Sequence, residues 1–203
     1  MKDWCYMSLF KRSDLIAKAD KELLKKSFFT EASTILKSAS YEFSSTKNYD
    51  IFLSHSYSDA KIILGLKLEL EEMGHSVYVD WIEDLQLDRS KVTKETAEQL
   101  RTRMKRCKCL FFATSDNSTE SKWMPWELGY FDGIKGKVGV IPITNTTSQT
   151  DAFEGQEYLG IYNYITKGTV QGSNQMALWV HDSSNVYVRF ELWLNGSVPY
   201  KRT

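Results

Sequence analysis

The sequence predicts an α/β fold, a flavodoxin-like doubly wound parallel sheet, on three observations. Short runs of apolar strand formers recur, amphipathic helical stretches separate them, and the runs end in polar or aromatic residues. Continuous apolar strands are what a sheet covered on both faces requires, and polar strand ends are where such sheets bind ligands.

Residues 13–39 read as a helix, with Ser13 as candidate N-cap and Leu15, Ile16, Leu23, Leu24, Phe28, Ile35 and Leu36 at roughly helical spacing. This arm either packs against the core, which is the expectation, or offers a surface for self-association. A polar stretch from Ser44 to Asn48 separates it from Tyr49-Asp50-Ile51-Phe52-Leu53, a first strand. A helix over 59–73 follows, with Ser58 as candidate N-cap, Ile62, Leu66, Leu70 and Met73 on one face, and Gly74 as its stop. Val77-Tyr78-Val79 is the second strand. Residues 91–106 form a helix with Val92, Leu100 and Met104 in register, and Cys109 to Ala113 form the third strand. A helix near 124–135 and a strand from Val138 to Ile143 complete the alternation.

The last third differs. Leu159 to Ile165 is a candidate fifth strand. Met176 to Val180 and Val186 to Leu194 read as two further β segments around a polar turn at Ser183-Ser184-Asn185. Their aromatics (Trp179, Tyr187, Phe190, Trp193) suit a buried edge or a contact surface, and burial is the expectation. The organisation expected is a helical extension over 1–47, an α/β core over 48–145, and over 146–203 the end of the core with a β-rich appendage.

Composition excludes several classes. A hydrophobic content of 42% supports a normal packed core, and 26 basic residues against 26 acidic ones argue against nucleic-acid binding. Lys105-Arg106-Cys107-Lys108 reads as the solvated end of a helix. The three cysteines form neither a disulfide framework nor a zinc site, and Cys107 and Cys109 read as small apolar residues entering a strand. No signal-peptide run or membrane span is visible, so a cytoplasmic protein without membrane contact is expected. The sequons at Asn117, Asn145 and Asn195 therefore carry no weight.

The strand ends are Ser54-His55-Ser56, Asp80-Trp81 and Thr114-Ser115-Asp116, all on one rim. No GxGxxG follows a strand, no P-loop ending closes the glycines of 133–139, and HExxH, CxxC and GxSxG are absent. Kinase, ATPase, hydride-transfer, metal-dependent and serine-hydrolase chemistry are thereby disfavoured. The informative segment is Ser121-Lys122-Trp123-Met124-Pro125-Trp126-Glu127-Leu128-Gly129. Pro125 suits the first turn of a helix, which would put Glu127 in that turn, where the helix dipole favours an ionised carboxylate by about 0.3–1 kcal/mol. Trp123, four residues earlier, can face the same cleft. A carboxylate beside an indole suits a planar cationic substrate.

Together these residues resemble Toll/interleukin-1 receptor (TIR) domains. Tyr49 to Ser56 is similar to the family's opening strand and loop, Asp80 to the acidic residue starting its BB loop, and Val140-Ile141-Pro142-Ile143 to its fourth strand. Trp123 and Glu127 match the W-x-x-x-E spacing around the catalytic glutamate of TIR enzymes. The match spans about half the chain. From Trp81 to Arg89 the loop lacks the family's common glycine, and neither flanking extension follows from the motif.

The resemblance implies a TIR fold and an NAD glycohydrolase or ADP-ribosyl cyclase with NAD as substrate and no metal or cofactor. It makes Glu127 the catalytic carboxylate. Ser54, His55, Ser56, Asp80 and Trp123 would line the substrate pocket, with Trp81 and Glu83 as weaker members. Bland alternatives stand beside these roles: Trp123 as a core aromatic, His55 bonded to a loop carbonyl, Asp80 capping its loop, and Glu127 an ordinary helix-start glutamate. The bacterial, Thoeris-like members imply an anti-phage role, an ADP-ribose-derived signal, an effector that responds to it, and self-association through TIR contacts. The alternatives are a non-catalytic TIR scaffold and a nucleoside-processing transferase on a similar fold, which would ignore NAD.

Overall fold

The computed structural model describes residues 7–26, 47–79, 93–115, 121, 123–145, 152–153 and 157–201. In chain order it contains β1 (Met7–Ser8), β2 (Phe10–Lys11), α1 (Arg12–Lys26), β3 (Tyr49–Ser54), α2 (Ala60–Glu72) and β4 (Val77–Val79). These are followed by α3 (Lys94–Lys105), β5 (Cys107–Thr114), α4 (Trp123–Lys135), β6 (Val138–Thr144) and β7 (Asn163–Thr169). The chain then runs through β8 (Met176–Ser183), β9 (Val186–Arg189), α5 (Phe190–Leu194) and β10 (Tyr200–Lys201).

One sheet runs β10-β9-β8-β7-β6-β5-β3-β4. The five strands β4-β3-β5-β6-β7 are parallel, and β8, β9 and β10 continue the sheet antiparallel from β7. This is the doubly wound order, with strand order reversing between β3 and β5. The C-terminal β segments are thus a continuation of the main sheet.

Two apolar layers cover the faces. Ile51, Leu53, Phe111 and Ala113 pack with α1 and α2 on one side. Phe52, Leu110 and Phe112 pack with Leu100 and Met104 of α3 and with Met124, Leu128 and Phe131 of α4 on the other. Strand alternation divides them.

Helix α1 packs on α2, as expected of the arm over its described part. Leu15 and Ala19 are fully buried, and Lys18 and Lys61 tie the pair through Glu72 and Asp20 at 2.5 and 2.6 Å. This explains why α2 buries Ile63, Leu64 and Gly65 besides the predicted face. It is sandwiched between the sheet and α1. Residues 27–39 of the expected helix lie outside the described residues. Ser13 is not the N-cap but lies inside the first turn, donating to Asp14.

Ahead of α1 the chain dips into the sheet. β6 and β7 pair only at Gly139–Asn163 and Val140–Tyr164. Beyond that, β1 runs antiparallel to β7 and β2 parallel to β6, so the chain reverses at Leu9. Leu9 packs on Val140 and Tyr164, where the pairing of β6 with β7 ends.

Other boundaries differ for identifiable reasons. Ser58 belongs to a 3₁₀ turn (Tyr57–Asp59), and the N-cap position of α2 is held by Asp59, whose side chain makes no capping hydrogen bond. Gly74 ends α2 as predicted, with φ of +91° and a hydrogen bond to the Glu71 carbonyl at 2.9 Å. Helix α3 starts at Lys94 behind the cap Thr93, and the predicted contact Val92 lies outside the described residues. The fifth strand starts at Asn163. The preceding apolar residues form a 3₁₀ turn (Glu157–Ile161) that leaves Ile161 75% exposed. The segment predicted as strand over 186–194 becomes helical at Phe190. Phe190 and Trp193, three apart, are both buried with stacked rings, whereas Leu192 is exposed.

Candidate active site

The described polar ends of β3 and β5, Ser54-His55-Ser56 and Thr114-Ser115, belong to neighbouring strands where strand order reverses. β3 ends at Ser54, opposite Phe112 of β5. Ser54, His55 and Ser56 are all buried although they sit at a strand end. The Ser54 hydroxyl donates to Glu127 Oε2 at 2.6 Å. Glu127 is 3% exposed and comes from α4, on the face where Ser54 continues the alternation of Phe52. A hydrogen bond to a carboxylate contributes about 1.5–3 kcal/mol, so this contact fixes the carboxylate's place.

Glu127 is not in the first helical turn. The helix begins at Trp123, which makes Pro125 its third residue and Glu127 its fifth. Pro125 is still tolerated, because the amides of the first turn have no intrahelical acceptor. The helix dipole acts mainly on the first turn, so the donor from β3 replaces it as the local stabiliser of the carboxylate. Ser121 Oγ accepts from the Met124 amide at 3.3 Å and supports the helix start.

Trp123 lies one helical turn before Glu127 and is buried in the layer between the sheet and α4. Its ring meets Trp126 edge-on at 5.5 Å, and its indole N–H has no hydrogen-bond partner among the described residues. Trp126 stacks on Tyr130, and the Arg101 guanidinium lies 5.6 and 5.8 Å from these two rings. That stack links α4 to α3.

His55 Nδ1 lies 2.9 Å from the Leu53 carbonyl, the loop-carbonyl contact considered for it. A carbonyl only accepts, so Nδ1 carries the proton there. The structure therefore brings Ser54 and Glu127 into contact, with His55 and Ser56 adjacent in the chain and Trp123 a turn away. Asp80, Trp81 and Glu83 lie outside the described residues.

Two further polar residues meet at the end of the neighbouring strand, on the other face of the sheet. Ser115, just past β5, donates to Asp59 Oδ2, and Asp59 is 2% exposed. Nothing in the sequence periodicity marks Asp59. Its only signal is a position five residues after Ser54, at the start of a helix. Among the described residues no cluster of histidine, cysteine, aspartate and glutamate could hold a metal ion, and no helix is long and apolar enough to cross a membrane.

The chain is similar to known proteins. The model of a family described as "TIR domain" matches residues 51–169. A Bacillus cereus (strain MSX-D12) protein named "Probable 3' cyclic ADP-D-ribose synthase ThsB'" is 55% identical over 191 residues, covering 93% of this chain and 98% of its own length. A Cytobacillus dafuensis protein named "Putative cyclic ADP-D-ribose synthase TIR2" is 34% identical over 104 residues, 51% of this chain and 27% of its own length.

Proposed function

The chain belongs to the TIR-domain family, and from that premise we propose that it cleaves the nicotinamide–ribose bond of NAD and closes the remainder into a cyclic ADP-ribose. The observation that carries this reading is the buried Glu127 carboxylate held by Ser54 at the reversal of strand order. Similarity to relatives named as cyclic ADP-D-ribose synthases supports the substrate and the product.

The chemistry suits one carboxylate. Ordinary glycosidases use two, because the departing alcohol must be protonated. Nicotinamide leaves NAD as a neutral base from a cationic precursor, taking the electron pair of the C–N bond, so no acid is needed. What the reaction requires is negative charge beside the ribose carbon as it turns oxocarbenium-like. Glu127 supplies it, and Ser54 fixes its position before substrate arrives, so no reorganisation is needed at the moment of cleavage. Trp123 provides an aromatic wall next to the carboxylate, and His55 and Ser56 complete the floor from the β3 side. Asp80, Trp81 and Glu83 belong to the pocket by resemblance.

The same reading places the protein in the cytoplasm of a bacterium, in anti-phage defence, where the cyclic product acts on a downstream effector. Self-association through TIR contacts belongs to it as well. Its test uses purified protein, concentrated or with a crowding agent, incubated with NAD and separately with 2′-deoxynucleosides. Chromatography should show nicotinamide and a cyclic ADP-ribose from NAD and no free base from the nucleosides. Base release from nucleosides alone would overturn the reading in favour of a transferase.

A further inference from the structure

At the reversal point the two central strands send hydroxyls to opposite faces of the sheet. Ser54 follows Phe52 towards α4, and Ser115 follows Phe111 and Ala113 towards α2. Each hydroxyl donates to a buried carboxylate, Ser54 to Glu127 of α4 and Ser115 to Asp59 in the turn before α2. Because β3 and β5 are paired neighbours, both pairs stand at the carboxyl ends of adjacent strands at the reversal point, where sheets of this kind bind ligands. Bond cleavage as described above uses only the first pair.

Ring closure makes a demand that cleavage does not. The relative's name puts the cyclic product at a 3′ position, which in the adenosine half of NAD is a ribose hydroxyl. A hydroxyl attacking the anomeric carbon must shed its proton as the new C–O bond forms, and a positioned base typically accelerates such a step by about 10²–10⁴-fold. Glu127 has to stay ionised beside the cationic ribose and is a poor recipient.

Resting on the cyclase reading, we propose that Ser115 and Asp59 are the proton-accepting arm of cyclisation. Ser115 Oγ takes the proton of the attacking hydroxyl while passing its own to the Asp59 carboxylate. The hydroxyl oxygen supplies the electron pair of the new C–O bond. The electron pair of the C–N bond leaves with nicotinamide, and Asp59 later returns the proton to water. Nothing is oxidised or reduced. Asp59 acts through Ser115 and is a positioning residue.

The test quantifies nicotinamide, cyclic product and linear ADP-ribose made from NAD by the full chain and by Asp59→Asn, Ser115→Ala, Ser115→Thr and His55→Gln. The ratio of cyclic to linear product per nicotinamide released should fall about tenfold or more in Asp59→Asn and Ser115→Ala, and recover in Ser115→Thr. A wild-type ratio in both variants overturns the inference. So does loss of all nicotinamide release in both, which would assign the pair to cleavage or folding, and so does a change confined to His55→Gln. Silence of the wild-type protein on NAD would overturn the reading beneath it.

Discussion

The hydroxyl of Ser54 and the carboxylate of Glu127 meet at 2.6 Å, 73 residues apart in sequence, because β3 ends where α4 passes. Substituting Ser54→Ala removes a buried donor to a carboxylate, which costs about 1–3 kcal/mol wherever the carboxylate is needed in place. Nicotinamide release should fall about tenfold or more through kcat rather than KM, with Ser54→Thr close to wild type. Steady-state kinetics of the two variants checks this. An unchanged kcat in Ser54→Ala would show that the contact does not position the carboxylate.

Gly65 of α2 lies against the backbone of α1. A methyl group there would stand 2.6 Å from the Leu15 carbonyl carbon and 2.9 Å from its Cα, and backbone cannot swing aside as a side-chain end can. Gly65→Ala gains helix propensity but forces the helices apart, for a net loss of about 1–3 kcal/mol. Urea unfolding should show a lower midpoint. A midpoint at or above wild type would mean that α1 does not pack there in solution.

How much of this was legible in the sequence depends on what each element contacts. The parallel strands announce themselves because burial on both faces demands unbroken apolar runs such as Cys109 to Ala113. Glu127 stands out through its spacing from Trp123 and the nearby Pro125. The insertion of Met7–Lys11 between β6 and β7 does not, since two-residue strands carry no period. Phe190 to Leu194 alternates like a strand, yet long-range packing of Phe190 and Trp193 selects a helix. Asp59 and Ser115 are polar residues in turns, and their meeting is fixed only by the strand pairing of β3 with β5.

His75 gives stability a pH dependence. Burial lowers its pKa from the ordinary value of 6.5, against the opposing pull of the Glu191 and Asp50 carboxylates and with a smaller push from Lys108. The folded state thus prefers neutral imidazole, and below about pH 6.5 the unfolded chain binds more protons. The contribution is complete above that pH and is lost as pH falls through the lowered value. His75→Phe, which keeps an aromatic ring against Phe190, should flatten the stability profile on the acid side of neutrality. Urea midpoints measured across that range test it, and parallel profiles for both proteins would contradict it.

Asp50 acts in the same direction at lower pH. Burial pushes its carboxyl up, but hydrogen bonds from Lys108 and from the backbone and hydroxyl of Ser76 outweigh that and hold it below 3.8. Its stabilisation is present above that value and disappears as pH falls through the lowered one. Ser76→Ala removes one of these donors, so the acid-unfolding midpoint should move to higher pH. An unmoved midpoint would assign the shift to Lys108 and the Ser76 amide, without the hydroxyl.

The most direct measurement is the rate of nicotinamide release from NAD by Glu127→Gln beside wild type, at equal concentration and with both proteins shown folded by their melting curves. Glutamine keeps the size and accepts the Ser54 hydrogen bond but carries no charge, so the rate should fall about a hundredfold or more. A variant that releases nicotinamide at the wild-type rate would contradict the assignment of the ribose-facing charge to this residue.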